Sequence, residues 1–135
     1  MPELPEVETV RRGLADLLPG QAIVRATVFD SPKSFPNSPT DVQQFLYGAH
    51  VTAVRRRAKV LMIDLDTRYS LVIHLKMTGQ LIFRGANSFA GGHPNDSLIG
   101  ELPDKSTRVQ IDFTDGSHLF FNDQRKFGWM KLMPT

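Results

Sequence analysis

The sequence predicts an α+β domain: an antiparallel β-sandwich of about eight strands flanked by two α-helices. Three observations carry that expectation. Apolar residues recur every three or four positions at the start of the chain and, briefly, after Ser38. From Val51 onward the pattern changes to alternation or β-branched runs broken by turn residues. Asp115-Gly116 stands between two of those runs and signals a hairpin, so neighbouring strands should pair in sequence.

The first helix runs from Glu3 to Leu18. Leu4, Val7, Val10, Leu14, Leu17 and Leu18 share one face, and Glu3, Glu6 and Glu8 crowd the turns where the helix dipole favours negative charge. Pro5 is tolerated near the first turn, and Pro19-Gly20 stops the helix. A β-branched strand follows from about Ala22 to Phe29, then a loop from Asp30 to Asn37. Ser38 caps a short second helix, Pro39 suits its first position, Asp41 its first turn, and Gly48 ends it. Val42, Phe45 and Leu46 form its apolar stripe. Further strands are expected at about 50–57, 58–65, 69–75, 79–84, 107–113, 116–121 and 128–133. Between them, Gly85 to Lys105 is rich in Gly, Pro and Asn and reads as one long loop. There is no internal repeat.

Composition narrows the function classes. The 135 residues are 41% hydrophobic and 22% charged, which suits one folded domain. Sixteen Lys and Arg against fourteen Asp and Glu leave a net charge of +2, too small to identify a polyanionic partner by itself. The absence of cysteine excludes disulfides, a catalytic thiol and a thiolate zinc site in this chain. The four histidines are scattered, and no pair has a metal-ligand spacing. No apolar run approaches the roughly 20 residues of a membrane span, and no secretory signal opens the chain, so the cytoplasm is the default compartment. The last strand signal runs straight into Met133-Pro134-Thr135, which reads as a domain cut from a longer protein.

The unusual chemistry is at the N-terminus. Removal of Met1 would expose Pro2 as a secondary amine, more often neutral at pH 7 than a lysine and able to attack an aldehyde carbon. Glu3 is adjacent and Glu6 lies one helical turn on, a plausible acid–base pair. The plainer reading is that Pro2 starts a helix and the acids satisfy its dipole, and the residues alone favour it. Strand alternation would turn Arg55, Arg57 and Lys59 to one face, which by itself reads as an ordinary solvated face. Met77, at a turn beside Thr78-Gly79, by itself reads as a core methionine. Arg125 and Phe127 by themselves read as a surface arginine and a core phenylalanine. His74 reads as structural.

Pro2-Glu3-Leu4-Pro5-Glu6-Val7-Glu8, followed by Thr9-Val10-Arg11-Arg12-Gly13, closely resembles the start of formamidopyrimidine-DNA glycosylase, a bacterial base-excision repair enzyme. Three further segments agree in order: Arg56-Arg57-Ala58-Lys59, His74-Leu75-Lys76-Met77-Thr78-Gly79 and Asn122-Asp123-Gln124-Arg125-Lys126-Phe127-Gly128. The resemblance implies that Pro2 attacks C1′ of the damaged nucleotide, Glu3 protonates the sugar ring oxygen and Glu6 supports the site. It implies that Lys59 holds a phosphate beside the lesion, with Arg57 in the same basic segment. Met77, Arg125 and Phe127 would fill the gap left by the flipped nucleotide.

The implied activity is excision of oxidised purines, such as 8-oxoguanine and formamidopyrimidines, from duplex DNA, with strand cleavage by β- and δ-elimination. The implied protein is a monomer in the cytoplasm, at the nucleoid, and uses no redox cofactor. Its substrates are duplexes with oxidised purines or abasic sites. The family protein is about twice this long. Its second half carries a helix–two-turn–helix domain and a four-cysteine zinc finger, so zinc is expected only there. Locally, Lys105-Ser106 stands where the family often has Lys-His, Gln124 where it has Pro, and Lys126 where it has a second Arg. The rival expectations are a non-catalytic DNA-binding fragment, with the clamp missing or Met1 retained, and an interaction domain with no nucleic-acid role.

Overall fold

The first helix, α1 (Leu4–Leu17), forms where the apolar spacing places it, with a proline in its first turn. Its buried seam is Val7, Val10, Leu14 and the adjoining Leu18, while Leu4 stays exposed. The structure, a computed structural model, describes residues 3–135. Strand β1 (Ile23–Val28) follows, then a 3-10 turn at Pro32–Ser34 and α2 (Pro39–Phe45). The Ser38 hydroxyl accepts from the Asp41 amide at 3.2 Å, the capping bond expected from the sequence. The remaining strands are β2 (Val51–Arg57), β3 (Val60–Leu65), β4 (Tyr69–His74), β5 (Gly79–Arg84), β6 (Ser88–Gly92), β7 (Thr107–Phe113), β8 (His118–Asp123) and β9 (Trp129–Pro134).

Among the described residues these nine strands make two antiparallel sheets, ordered β1-β7-β8-β5-β6 and β2-β3-β4-β9. The core lies between them. Leu61, Ile63, Leu71 and Ile73 from one sheet and Leu81, Val109, Ile111 and Phe121 from the other belong to one buried apolar cluster. The sandwich expected from strand periodicity is the observed architecture.

The segment from Gly85 to Lys105 is the principal departure. It is not one structureless loop: Ser88–Gly92 pairs with β5 as edge strand β6, and a 3-10 turn follows at Asp96–Leu98. The strand escapes sequence reading because its residues, Ser-Phe-Ala-Gly-Gly, lack β-branching. Close helix packing explains the glycines. A Cβ on Gly91 would press on Val10, and one on Gly13 would run into the Phe89 ring. Bare backbone on both elements lets α1 lie directly on β6.

The second departure is the predicted basic face. Ala58 and Lys59 are not in a strand. They form a tight turn between β2 and β3, whose last pair is Arg57 with Val60, and Ala58 takes a positive φ of 51°. Alternation therefore stops at Arg57. Arg55 is also engaged, its guanidinium forked on Asp64. Arg55, Arg57 and Lys59 do not make a three-cation stripe.

β9 is an edge of its sheet, and Asn37 occupies the open side. Its side chain donates to the Leu132 carbonyl and accepts from the Leu132 amide, both at 2.7 Å, as a neighbouring strand would. Replacing Asn37→Ala should lower unfolding free energy by about 1–2 kcal/mol, read from chemical denaturation.

Carboxylates set the acid limit of stability. Burial disfavours the charged form of Asp112, but bonds from Gln110, His118 and Arg25 outweigh it and hold the group below its ordinary value. Asp64 behaves alike: bonds from Arg55 and Ser70 outweigh burial. Groups depressed in the folded state stabilise above the unfolded carboxylate value, about 3.9 for Asp, and that contribution fades as pH falls toward the folded value. The melting temperature should therefore fall steadily from about pH 5 to about pH 2, measured by circular dichroism, and Asp112→Asn should flatten that decline.

Candidate functional site

The site is built where the N-terminus of α1 meets the β2–β3 turn. Pro2 lies outside the described residues, so the geometry begins at Glu3. Glu3 stands immediately before the helix in extended backbone, and its carbonyl accepts from the Val7 amide at 3.0 Å. Lys59, on the turn, brings its ammonium to 3.8 Å from the Glu3 carboxylate. Two of the expected site residues are thus in contact across 56 positions of chain, although Lys59 arrives from a turn and not from a strand face. Arg57 is exposed at the end of β2 and enters no ion pair among the described residues. Glu6 is exposed and borders a cavity of about 350 Å³ between α1 and the β6 region, with Thr9, Val10, Gly91, Gly92, Pro94 and Leu98.

Glu8, in the sequence a dipole-compensating charge, fixes this junction. Its carboxylate accepts from Arg11, Arg12 and Arg56 at 2.8–2.9 Å, joining α1 to β2. Those three guanidinium groups hold its pKa well below the ordinary carboxylate range. The available signal was the pair Arg11 and Arg12, three and four positions along the helix. Arg56 continues the tie by donating to the Ala58 carbonyl at 3.0 Å, next to Lys59.

A second group forms at the β4–β5 and β8–β9 turns. Met77 is 41% exposed and Phe127 is 59% exposed, so neither is a core residue. The Arg125 guanidinium approaches the Met77 sulfur at 3.6 Å. Met77 and Arg125 meet at the tip of these turns, and the exposed Phe127 lies two residues beyond Arg125 on the same turn. Lys126 flanks it and pairs with Asp30 at 3.6 Å.

The tip is held from beneath by Asp123, a second residue whose part was not legible. Asp123 is fully buried at the end of β8. Its carboxylate accepts from the Thr78 hydroxyl and the Gly128 amide, with a longer bond of 3.3 Å from the Arg125 amide. Gly128 fits there because a Cβ would press on that carboxylate and on the His74 carbonyl. His74 itself accepts from the Lys76 amide through Nδ1 at 3.0 Å. Burial, then the nearby charges of Lys76 and Lys59, push its pKa down, so the neutral ring serves the turn as an acceptor. Trp129 opens β9 just beyond, with the Lys131 ammonium 4.6 Å from its ring centroid.

Among the described residues no group of three or more His, Cys, Asp and Glu side chains could hold a metal ion. A four-cysteine zinc site does not fit this chain, which has no cysteine. No described helix is long and apolar enough to cross a membrane.

Residues 1–130 match the family model described as the formamidopyrimidine-DNA glycosylase N-terminal domain. The chain is 45% identical over 137 residues to the formamidopyrimidine-DNA glycosylase of Jannaschia sp., an alignment covering 100% of this chain and 46% of that protein. It is 39% identical to the Chloroflexus aurantiacus enzyme of the same name, over 98% of this chain and 43% of that protein. Among solved structures it is similar to Lactococcus lactis Fpg in complex with abasic-site DNA, with a TM-score of 0.79 and 28% identity. That match covers 98% of this chain and 44% of the other. The chain thus spans about half the length of the curated relatives it matches. It belongs to the formamidopyrimidine-DNA glycosylase family, whose N-terminal domain it matches across nearly its full length.

Proposed function

We propose that this chain is the catalytic half of a DNA repair glycosylase and abasic-site lyase that removes oxidised purines from duplex DNA. The observation that carries the reading is the Glu3–Lys59 contact, which brings an ammonium to the carboxylate of the residue that follows Pro2 in sequence. With Met1 removed, the Pro2 nitrogen attacks C1′ of the damaged nucleotide as the C1′–N bond to the base breaks, and the proton lost by the secondary amine goes to the departing base. Glu3 delivers a proton to the sugar ring oxygen, the ring opens, and nitrogen and C1′ become an iminium ion. That ion draws electrons from C2′, whose proton leaves, and the 3′ phosphate departs in β-elimination. A second elimination releases the 5′ phosphate. Lys59 balances phosphate charge, and Glu6, at the neighbouring cavity, supports proton movement.

The tip explains how a base inside a duplex becomes reachable. Extrusion of a nucleotide leaves a gap in the stack. Met77 and Phe127 are apolar and already exposed, so inserting them between bases removes apolar surface from water. Arg125 can donate to the orphaned base of the opposite strand. The family matches named above and the abasic-site DNA in the Lactococcus lactis complex support DNA as the partner. The chain's half-length relative to those proteins favours weak duplex binding when it acts alone, since fewer phosphates are neutralised.

Borohydride trapping on an oligonucleotide with one abasic site tests this directly. Protein with Met1 removed, verified by intact mass, should give a covalent adduct. Pro2→Gly and a Met1-retaining form should lose at least about 100-fold in adduct yield. No adduct from the Met-free protein at low salt and high concentration would leave the non-catalytic DNA-binding reading. Lys59→Gln should reduce the slope of log affinity against log salt by about one for abasic-site DNA, measured by fluorescence anisotropy.

A further inference from the structure

Arg108 lies on β7 and is 5% exposed. Its Nε donates to the Asp123 backbone carbonyl at 2.8 Å, which fixes the direction of the side chain. No carboxylate reaches it within ion-pair distance among the described residues, and its terminal nitrogens meet no protein acceptor there. A guanidinium taken out of water without a counter-charge is costly. Those nitrogens are not sealed in, because the only buried side-chain nitrogen or oxygen without a partner among the described residues is Asn95 Nδ2. Arg108 lines a cavity of about 430 Å³ together with Ser97, Asp104, Lys105, Ser106 and Gln124.

The lining is prepared for an anion. Asp104, its one acid, is already engaged: one oxygen accepts from the Ser106 amide and hydroxyl, the other from the Ser97 hydroxyl. Arg108 and Lys105 leave the cavity with an excess of positive charge. An arginine fork suits paired phosphate oxygens better than a point charge does. The cavity also adjoins the projecting tip, because Gln124 on its wall is the residue before Arg125.

We propose that this cavity seats one phosphate of the DNA backbone running past the Met77–Arg125–Phe127 tip, held by Arg108 with Lys105 at the rim. The proposal rests on the DNA-binding reading above and adds to it a phosphate seat distant in sequence from Lys59. It makes Arg108 a DNA-contacting residue despite its burial.

The test is a scan with uncharged methylphosphonates placed one at a time along both strands of a labelled abasic-site duplex, read by anisotropy. One position should weaken wild-type binding about tenfold. Arg108→Gln and, independently, Lys105→Gln should bind unmodified duplex more weakly and lose sensitivity at that same position, keeping it elsewhere. Circular dichroism melting accompanies both; if Arg108→Gln unfolds, Lys105→Gln at the rim carries the test alone. A duplex binder whose scan is identical in wild type and variants overturns the phosphate seat and leaves the DNA reading standing. Wild type that binds no duplex at low salt overturns both. Competition by sodium phosphate beyond chloride of equal ionic strength, with no sensitive backbone position, would assign the cavity to a free anion and overturn the proposal.

Discussion

The buried carboxylate of Asp123 is the constraint on which the turns carrying Met77, Arg125 and Phe127 depend. Among the described residues it has no cationic partner, and it is satisfied by neutral donors, the Thr78 hydroxyl and the Gly128 and Arg125 amides. Its backbone does as much: the amide donates to the Ser106 carbonyl, and the carbonyl accepts from Arg108. One residue thereby fastens the β4–β5 turn, the β8–β9 turn and the approach to β7. Such a network rewards completeness, because each donor left over would be an unpaired polar group in a low-dielectric setting. The exposed tip side chains can project only because their backbone is anchored in this way.

A parallel tie acts on the other side of the site. Glu8 gathers three arginines, two from its own helix and one from β2, so the start of α1 is registered against the turn that carries Lys59. The partly exposed setting makes the ion pairs modest as sources of stability. Their value is positional: they keep the carboxylate of Glu3 and the ammonium of Lys59 within a few ångströms while both remain accessible.

Much of this was legible in the sequence, for local reasons. The helices announce themselves through apolar spacing, the Ser38 cap and Pro39, and the β7–β8 hairpin through Asp115-Gly116, where Gly116 takes a φ of 87°. The candidate residues Glu3, Lys59, Met77, Arg125 and Phe127 stand in recognisable motifs, and two pairs among them are in contact, Glu3 with Lys59 and Met77 with Arg125. Strand β6 stayed hidden because its glycines answer to a helix lying against it, a tertiary cause without local period. The three-cation stripe failed because a two-residue turn at Ala58-Lys59 ends the alternation, and because Asp64 across the β2–β3 pair claims Arg55. Arg108 gave no signal, and the motif around Asp123 gave none of its anchoring part, since its bonds with Thr78 and Arg108 span 45 and 15 positions.

The placement of Trp129 gives the molecule an optical property. It is the single tryptophan of the chain. It follows Gly128 directly after the Arg125–Phe127 tip, with His74 at 5.9 Å on one side and the Lys131 ammonium over its ring. Ultraviolet emission excited at the red edge therefore originates at one spot, two residues from the tip. An indole so close to a cation and an imidazole responds to changes in local field, so the intrinsic fluorescence of the unlabelled protein is sensitive to events at the tip.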